Sequence, residues 1–185
     1  MFIQTEPTPN PATLKFLPGR LVAGSRLTEY RSASEAQASP LAAALFSVQG
    51  VSQVFFGGDF VSVTKSDGDW AHLKPSILGV IMEHFVSGAP VFSDEAGKGD
   101  EEAEFFDSGD ADTVDQIKDL IETRVRPAVA GDGGDIRFRG FKDGTVYLAM
   151  KGACSGCPSS TATLKHGIQN LLKHFVPEVR AVEQI

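Results

Sequence analysis

Two thiols open the chemical reading of this chain. Cys154 and Cys157 stand in KGACSGCPSS, residues 151–160, and they are the only cysteines among 185 residues. A C-x-x-C pair supports three chemistries: a dithiol redox couple, half of a zinc site, or half of an iron–sulfur site. Gly152 and Gly156 let the backbone turn sharply around a ligand. Ser155, Ser159, Ser160 and Thr161 give the loop a polar rim, which argues against buried, inert thiols. Pro158 reads as the first residue of a helix, placing Cys157 at or beside the N-cap. The unpaired N–H groups and positive dipole end there stabilise a thiolate or an anionic metal–thiolate centre. The expectation is two exposed sulfurs with lowered pKa, neither belonging to the core.

Each chemistry makes further demands. A thioredoxin-like pair wants a βαβ setting in a mainly parallel sheet, whereas a hairpin of adjacent strands precedes this loop. A zinc site needs two more ligands, and His166 and His174 lie on the following helix. His166 falls about two turns beyond Pro158, roughly 12 Å along the axis, too far to share a metal with the loop. Both read as ordinary helix residues, as do His72 and His84 in the other half of the chain. An iron–sulfur cluster is typically held by four thiolates, so two copies must pool their cysteines, or outside thiols must be borrowed. A cluster on such a seam is exposed and held by few bonds per chain, which suits a carrier.

The elements that must position the loop form the second of two α+β units. In DTVDQIKDLIETRVRPAV, the residues Val114, Ile117, Ile121 and Val125 keep helical spacing, with acids early and arginines late. GDGGD breaks the chain and reads as a flexible helix-to-strand connection. IRFRGF and TVYLAM alternate apolar and polar residues around Lys142-Asp143-Gly144, a hairpin. After the cysteines, Leu164, Ile168, Leu171, Leu172 and Phe175 mark an amphipathic helix, and VRAVEQI offers a last strand.

The first unit carries no cysteine and nothing that looks catalytic. FIQT and TLKF read as short strands separated by the proline-rich EPTPNPA. Ser39-Pro40 opens a helix through LAAALF, with Gly50 as its stop. VSQVFF and FVSVT form a hairpin around Gly57-Gly58-Asp59. A helix following Lys74-Pro75 puts Ile77, Val80, Ile81, His84 and Phe85 on one stripe and ends near Gly88.

Charge marks the boundary between the units. The chain carries −7, yet between Ser93 and Asp115 ten acids face the single Lys98, a local −9, so the remainder carries +2. Like charges repel and extend such a segment. The domains are therefore expected at residues 1–92 and 112–185, with an acidic flexible linker at 93–111. Phe105-Phe106 inside it reads as solvated spacer or, alternatively, as a docking or helix-extension element. An acidic chain without a basic face is a poor nucleic-acid binder. No stretch approaches the roughly 20 apolar residues of a membrane span. The opening MFIQTEPTPN lacks a basic region followed by an apolar core, so neither a secretory signal nor a transit peptide is expected. Two cysteines three apart cannot build a disulfide framework, which suggests a reducing, intracellular compartment.

GDGGDI followed by GACSGCPSSTATLKHGI resembles the C-terminal NifU-type iron–sulfur domain over about residues 112–185. FIQTEPTPNPATLKFLPG is similar to the N-terminal domain that accompanies it in Nfu proteins. The resemblance implies a non-enzymatic scaffold or carrier in which Cys154 and Cys157 hold a [4Fe–4S] cluster, or a [2Fe–2S] form, between two subunits. It implies partners of three kinds: a second copy, apo iron–sulfur proteins as clients, and upstream cluster-assembly proteins. The N-terminal domain would help recognise clients. The compartment would be the cytoplasm in a bacterium, or the mitochondrial matrix in a eukaryote. The alternative from a different class is a dithiol oxidoreductase acting through the same pair.

Overall fold

A computed structural model describes residues 1–93, 103–156 and 158–185, with Ser160 described in its backbone only. The chain divides into two compact units, Met1–Gly99 and Asp100–Ile185. Both mix helices with antiparallel pairing, so the α+β expectation holds.

In the first unit, strands β1 (Gln4–Pro7), β2 (Thr13–Leu17), β3 (Thr28–Tyr30), β4 (Val51–Phe56) and β5 (Val61–Lys65) form one antiparallel sheet in the order β1-β2-β5-β4-β3. Strand β3 has no alternating pattern long enough to announce it from sequence. Helix α1 (Pro40–Phe46) starts as expected, with Ser39 Oγ accepting from the Ala42 N–H at 3.1 Å. Helix α2 runs Trp70–Ser87, five residues earlier than Pro75 suggests. Asp69 accepts from the Ala71 N–H at 3.1 Å and caps the earlier start, and Pro75 costs only one hydrogen bond near the helix beginning. Gly88, at φ 72°, provides the left-handed stop. The buried stripe is Leu73, Ile77, Ile81 and His84, packed with Phe16, Phe56, Leu41 and Leu45, while Val80 and Phe85 stay half-buried.

His84 sits 7 % exposed, its Nε2 without a hydrogen-bond partner among the described residues. Burial pulls its pKa below the usual 6.5, offset in part by a backbone bond to Ala89. The imidazole thus stays neutral in the folded chain at pH values where the unfolded chain binds a proton. Its contribution is nil above about pH 6.5 and increasingly destabilising as pH falls from there toward the folded-state pKa. Thermal unfolding of the first unit should lose more stability between pH 7 and pH 5 in the native chain than in His84→Leu. Parallel pH profiles would refute this.

In the second unit, β6 (Phe105–Phe106), β7 (Gly134–Lys142), β8 (Thr145–Gly152) and β9 (Ala181–Gln184) form a sheet in that order. The β7/β8 pair is antiparallel; β6 and β9 join it as parallel edges. Lys142 pairs with Thr145 across Asp143 and Gly144, both at positive φ (51° and 79°), the two-residue turn whose twist suits a hairpin. The helical spacing read between Val114 and Val125 is real but not uniform. Helix α3 (Ala111–Leu120) passes through a π turn at Ile121–Val125 into α4 (Arg126–Gly131). Pro127 has no N–H to donate, and widening the preceding turn accommodates it. Helix α5 (Pro158–Phe175) buries Ile168 and Leu172 fully, Leu164 and Leu171 in part, and leaves Phe175 43 % exposed.

The expected linker at 93–111 differs at its end. Residues 94–102 lie outside the described residues. Phe105 and Phe106 form β6 rather than solvated spacer, and Lys118 Nζ meets Glu104 at 2.8 Å. The Phe105 ring lies over Gly140, where any Cβ would collide, and 5.2 Å from the Tyr147 ring. Apolar contact on a bare glycine outweighs the charge that surrounds the pair.

Candidate functional site

The CxxC loop leaves β8 at Gly152, whose φ of 71° and ψ of −141° are open essentially to glycine alone. A single 3-10 turn, Ala153–Ser155, and Gly156 follow before α5 begins at Pro158. Ser155 Oγ donates to the Gly152 carbonyl at 2.9 Å, and Thr161 Oγ1 donates to the Cys154 carbonyl at 2.9 Å, tying the turn to both strand and helix. Cys157 lies outside the described residues, so its expected N-cap position and exposure are not described.

Asp132-Gly133-Gly134-Asp135 is the other half of the site. It is not a flexible connection. Gly133 takes φ 81°, its carbonyl accepts from the Ala153 N–H at 3.2 Å, and Gly134 and Asp135 pair with Gly152 and Lys151 at the start of β7. A Cβ on Gly134 would stand 2.6 Å from the Lys151 carbonyl oxygen and 2.9 Å from Cys154 Sγ. The glycine is therefore the floor on which the first cysteine rests. Asp135, 3 % exposed, receives Arg126 Nε at 2.9 Å and Arg137 Nε at 3.3 Å, and Arg126 also grips Glu122 at 2.7 Å. A buried carboxylate needs such partners, since an unpaired charge there is costly.

Cys154 corrects the expectation of an exposed, anionic thiol. It is 6 % exposed and packs within the second unit's apolar core. Burial, and then the carboxylates of Asp132 and Asp135, push its thiol up to about 12. The polar rim misled because the first sulfur turns inward over Gly134 while the Ser155 and Thr161 hydroxyls bond backbone carbonyls. His166 and His174 are exposed on α5, and His72 is exposed in the first unit. Among the described residues, no three His, Cys, Asp or Glu side chains gather closely enough to hold a metal. Arg126 was not singled out from sequence, and Asp135 stood there only as part of a segment read as a helix-to-strand connection. The register was the available signal: pairing outward from the Asp143-Gly144 turn brings Asp135 opposite Gly152 at the base of the loop, and a one-residue shift between Phe138 and Gly140 moves it to Lys151.

Beside the loop runs an open groove of about 420 Å³, walled by Ser155, Gly156, Pro158, Thr161 and Lys165 and by Glu183 on edge strand β9. Lys165 Nζ and the Glu183 carboxylate meet across it at 2.8 Å.

The family model described as scaffold protein Nfu/NifU N terminal matches residues 3–88, and the NifU-like domain model matches residues 117–183. A Drosophila virilis protein named NFU1 iron-sulfur cluster scaffold homolog, mitochondrial, is 50 % identical over 187 aligned residues, covering all of this chain and 62 % of that protein. The Homo sapiens protein of the same name is 48 % identical, with all of this chain and 72 % of that protein covered. NifU-like protein 5, mitochondrial, of Arabidopsis thaliana is 49 % identical, with 68 % of its length covered. This chain thus spans roughly two thirds of the length of such relatives. With both domain models matched in order and every residue aligned to proteins of that kind, the chain belongs to the Nfu family.

Proposed function

We propose that this chain carries an iron–sulfur cluster as cargo, held by Cys154 and Cys157 of two copies and passed to apoproteins without turnover chemistry of its own. The observation that bears most weight is the pairing of the CxxC loop with the Gly133-Gly134 turn, a seat that places one sulfur donor on a bare glycine. The names borne by the relatives, which call them cluster scaffolds, support the same reading. Two thiolates per chain leave a cluster short by two, and a second copy supplies them. The first unit, which matches the Nfu N-terminal model, is assigned client recognition. Of the two compartments expected, the relatives' names favour the mitochondrial one.

The inward Cys154 adds a step to this account. Ligation requires the buried Cys154 sulfur to be uncovered while the turn keeps its tie to Gly133, and requires iron to displace the thiol proton, which passes to solvent. Coordinated thiols are deprotonated outright, so loading releases protons and favours higher pH. The same burial argues against the oxidoreductase reading with Cys154 as attacking thiol, because a thiol near 12 is scarcely ionised at neutral pH.

Anaerobic reconstitution with iron and sulfide tests the proposal. Mössbauer spectra with iron and sulfide counted per chain should give one [4Fe–4S] cluster per two chains, in a brown dimer on sizing chromatography. A cluster-loaded monomer without added thiols would overturn the bridging. Colourless protein that catalytically reduces a model disulfide would favour the oxidoreductase instead.

A further inference from the structure

The groove beside the loop says where the second copy sits. Thiolates that share one cluster lie within that cluster's width, so surfaces flanking Cys157 in sequence are forced against the partner. Those surfaces are the groove walls at Ser155, Gly156 and Pro158. A two-fold pairing must be self-complementary: if residue i of one copy meets j of the other, j also meets i. The groove meets that requirement with opposite charges, Lys165 on α5 and Glu183 on β9, 2.8 Å apart and 34 % and 52 % exposed. Within one chain so exposed a pair adds little stability. Between two chains it sets orientation, since like charges juxtaposed at an interface cost several kcal/mol.

We infer that this groove is the face on which a second copy docks when the cluster is shared, with Lys165 of each copy exchanging its Glu183 for that of the other. The inference rests on the cluster-bridging reading and names the contact that the reading leaves open. The remaining groove wall fits a close approach. Pro158 is small and rigid, Gly156 has no side chain, and Thr161 is already committed to the Cys154 carbonyl. Such a contact is small, and the shared ligands hold it. It should therefore form with the cargo and dissolve on release.

Charge reversal tests it at low ionic strength, where exposed charges are least screened. Lys165→Glu and Glu183→Lys, each in the full chain, are reconstituted anaerobically with iron and sulfide and then sized. Each alone places like charges at both symmetry-related contacts. The fraction of cluster-bound dimer should fall at least about tenfold at fixed chain concentration. An equimolar mixture restores opposite signs at both contacts, and a one-to-one mixed dimer should recover, identified by native mass. The pair within each chain remains like-charged in the mixture, so recovery cannot come from repairing a single chain. Unchanged thermal unfolding of both apo variants is expected. Single variants that dimerise like the native chain, or a mixture without recovery, overturn the inference. So does a normal cluster-bound dimer whose transfer to an apoprotein alone is slowed, which would give the groove to clients. Native chain that loads as a monomer instead fails the bridging reading itself, and the two failures are thereby distinct.

Discussion

Gly134→Ala should all but abolish cluster loading and destabilise the second unit while leaving the first unchanged. The added methyl would stand 2.6 Å from the Lys151 carbonyl oxygen, 2.9 Å from Cys154 Sγ and 3.3 Å from the Cys154 N–H. Two of these three atoms are backbone, and one belongs to the strand that pairs with Gly134 itself, so moving the Cys154 side chain alone cannot relieve the clash. Relief requires the start of β7 to part from the end of β8, which breaks the Ala153-to-Gly133 bond and lifts the turn that carries the thiol. Overpacking of this kind costs about 1–3 kcal/mol, a large share of a small unit's stability. Gly131→Ala, three residues earlier, is the control. It sits at the end of α4 with nothing within 4 Å of the added carbon, and alanine there should be neutral or slightly stabilising. Iron and sulfide per chain, with separate unfolding transitions for the two units, read both effects. Native-level loading in Gly134→Ala would show that the loop is not seated as described.

The sequence shows both positions only as glycines in a break; the contrast between the two variants comes from what the fold packs around each. Hydrophobic spacing carried most of the architecture: Val114 to Val125, Ile136 and Phe138 against Val146 and Leu148, and Ile77 and Ile81 all face cores because periodicity reports which side of an element is apolar. Punctuation residues carried several boundaries, with Ser39-Pro40 starting α1, Gly88 stopping α2 and Asp143-Gly144 closing the hairpin. What spacing does not report is tertiary choice. Phe105-Phe106 becomes a strand because Gly140, 35 positions on, leaves room for a ring. Cys154 turns inward because Gly134, twenty positions earlier, leaves room for a sulfur. Both outcomes depend on a missing side chain on a distant strand, and composition near the residue points the other way. The two cysteines were evident as chemistry; the buried setting of Cys154 was not.

The same logic makes the Arg126–Asp135 pair the second sensitive point, with an effect that a purely structural role would not produce. Arg126→Gln strips the closest cation from a carboxylate whose side chain is only 4 % exposed, leaving Arg137 at 3.3 Å, itself 41 % exposed. Breaking a buried pair on one side typically costs about 3–5 kcal/mol, and the remaining arginine brings the expectation to about 2–3 kcal/mol. Asp135→Asn is the informative companion. It keeps the shape, removes the charge and leaves Arg126 its bond to Glu122, so its cost should be nearer about 1 kcal/mol. Asp135 is also one of the carboxylates that raise the Cys154 thiol, after burial and Asp132. Removing a negative charge favours the thiolate, so the pKa should fall from about 12, yet remain above an ordinary thiol because burial persists. In a Cys157→Ser background, alkylation of Cys154 should begin at lower pH in Asp135→Asn than in the parent. The faster thiol should also take up iron and sulfide at a lower pH when Cys157 is restored, since ligation must displace that proton. Superimposable alkylation profiles, together with an Arg126→Gln chain as stable as the parent, would remove Asp135 from any part in setting the thiol.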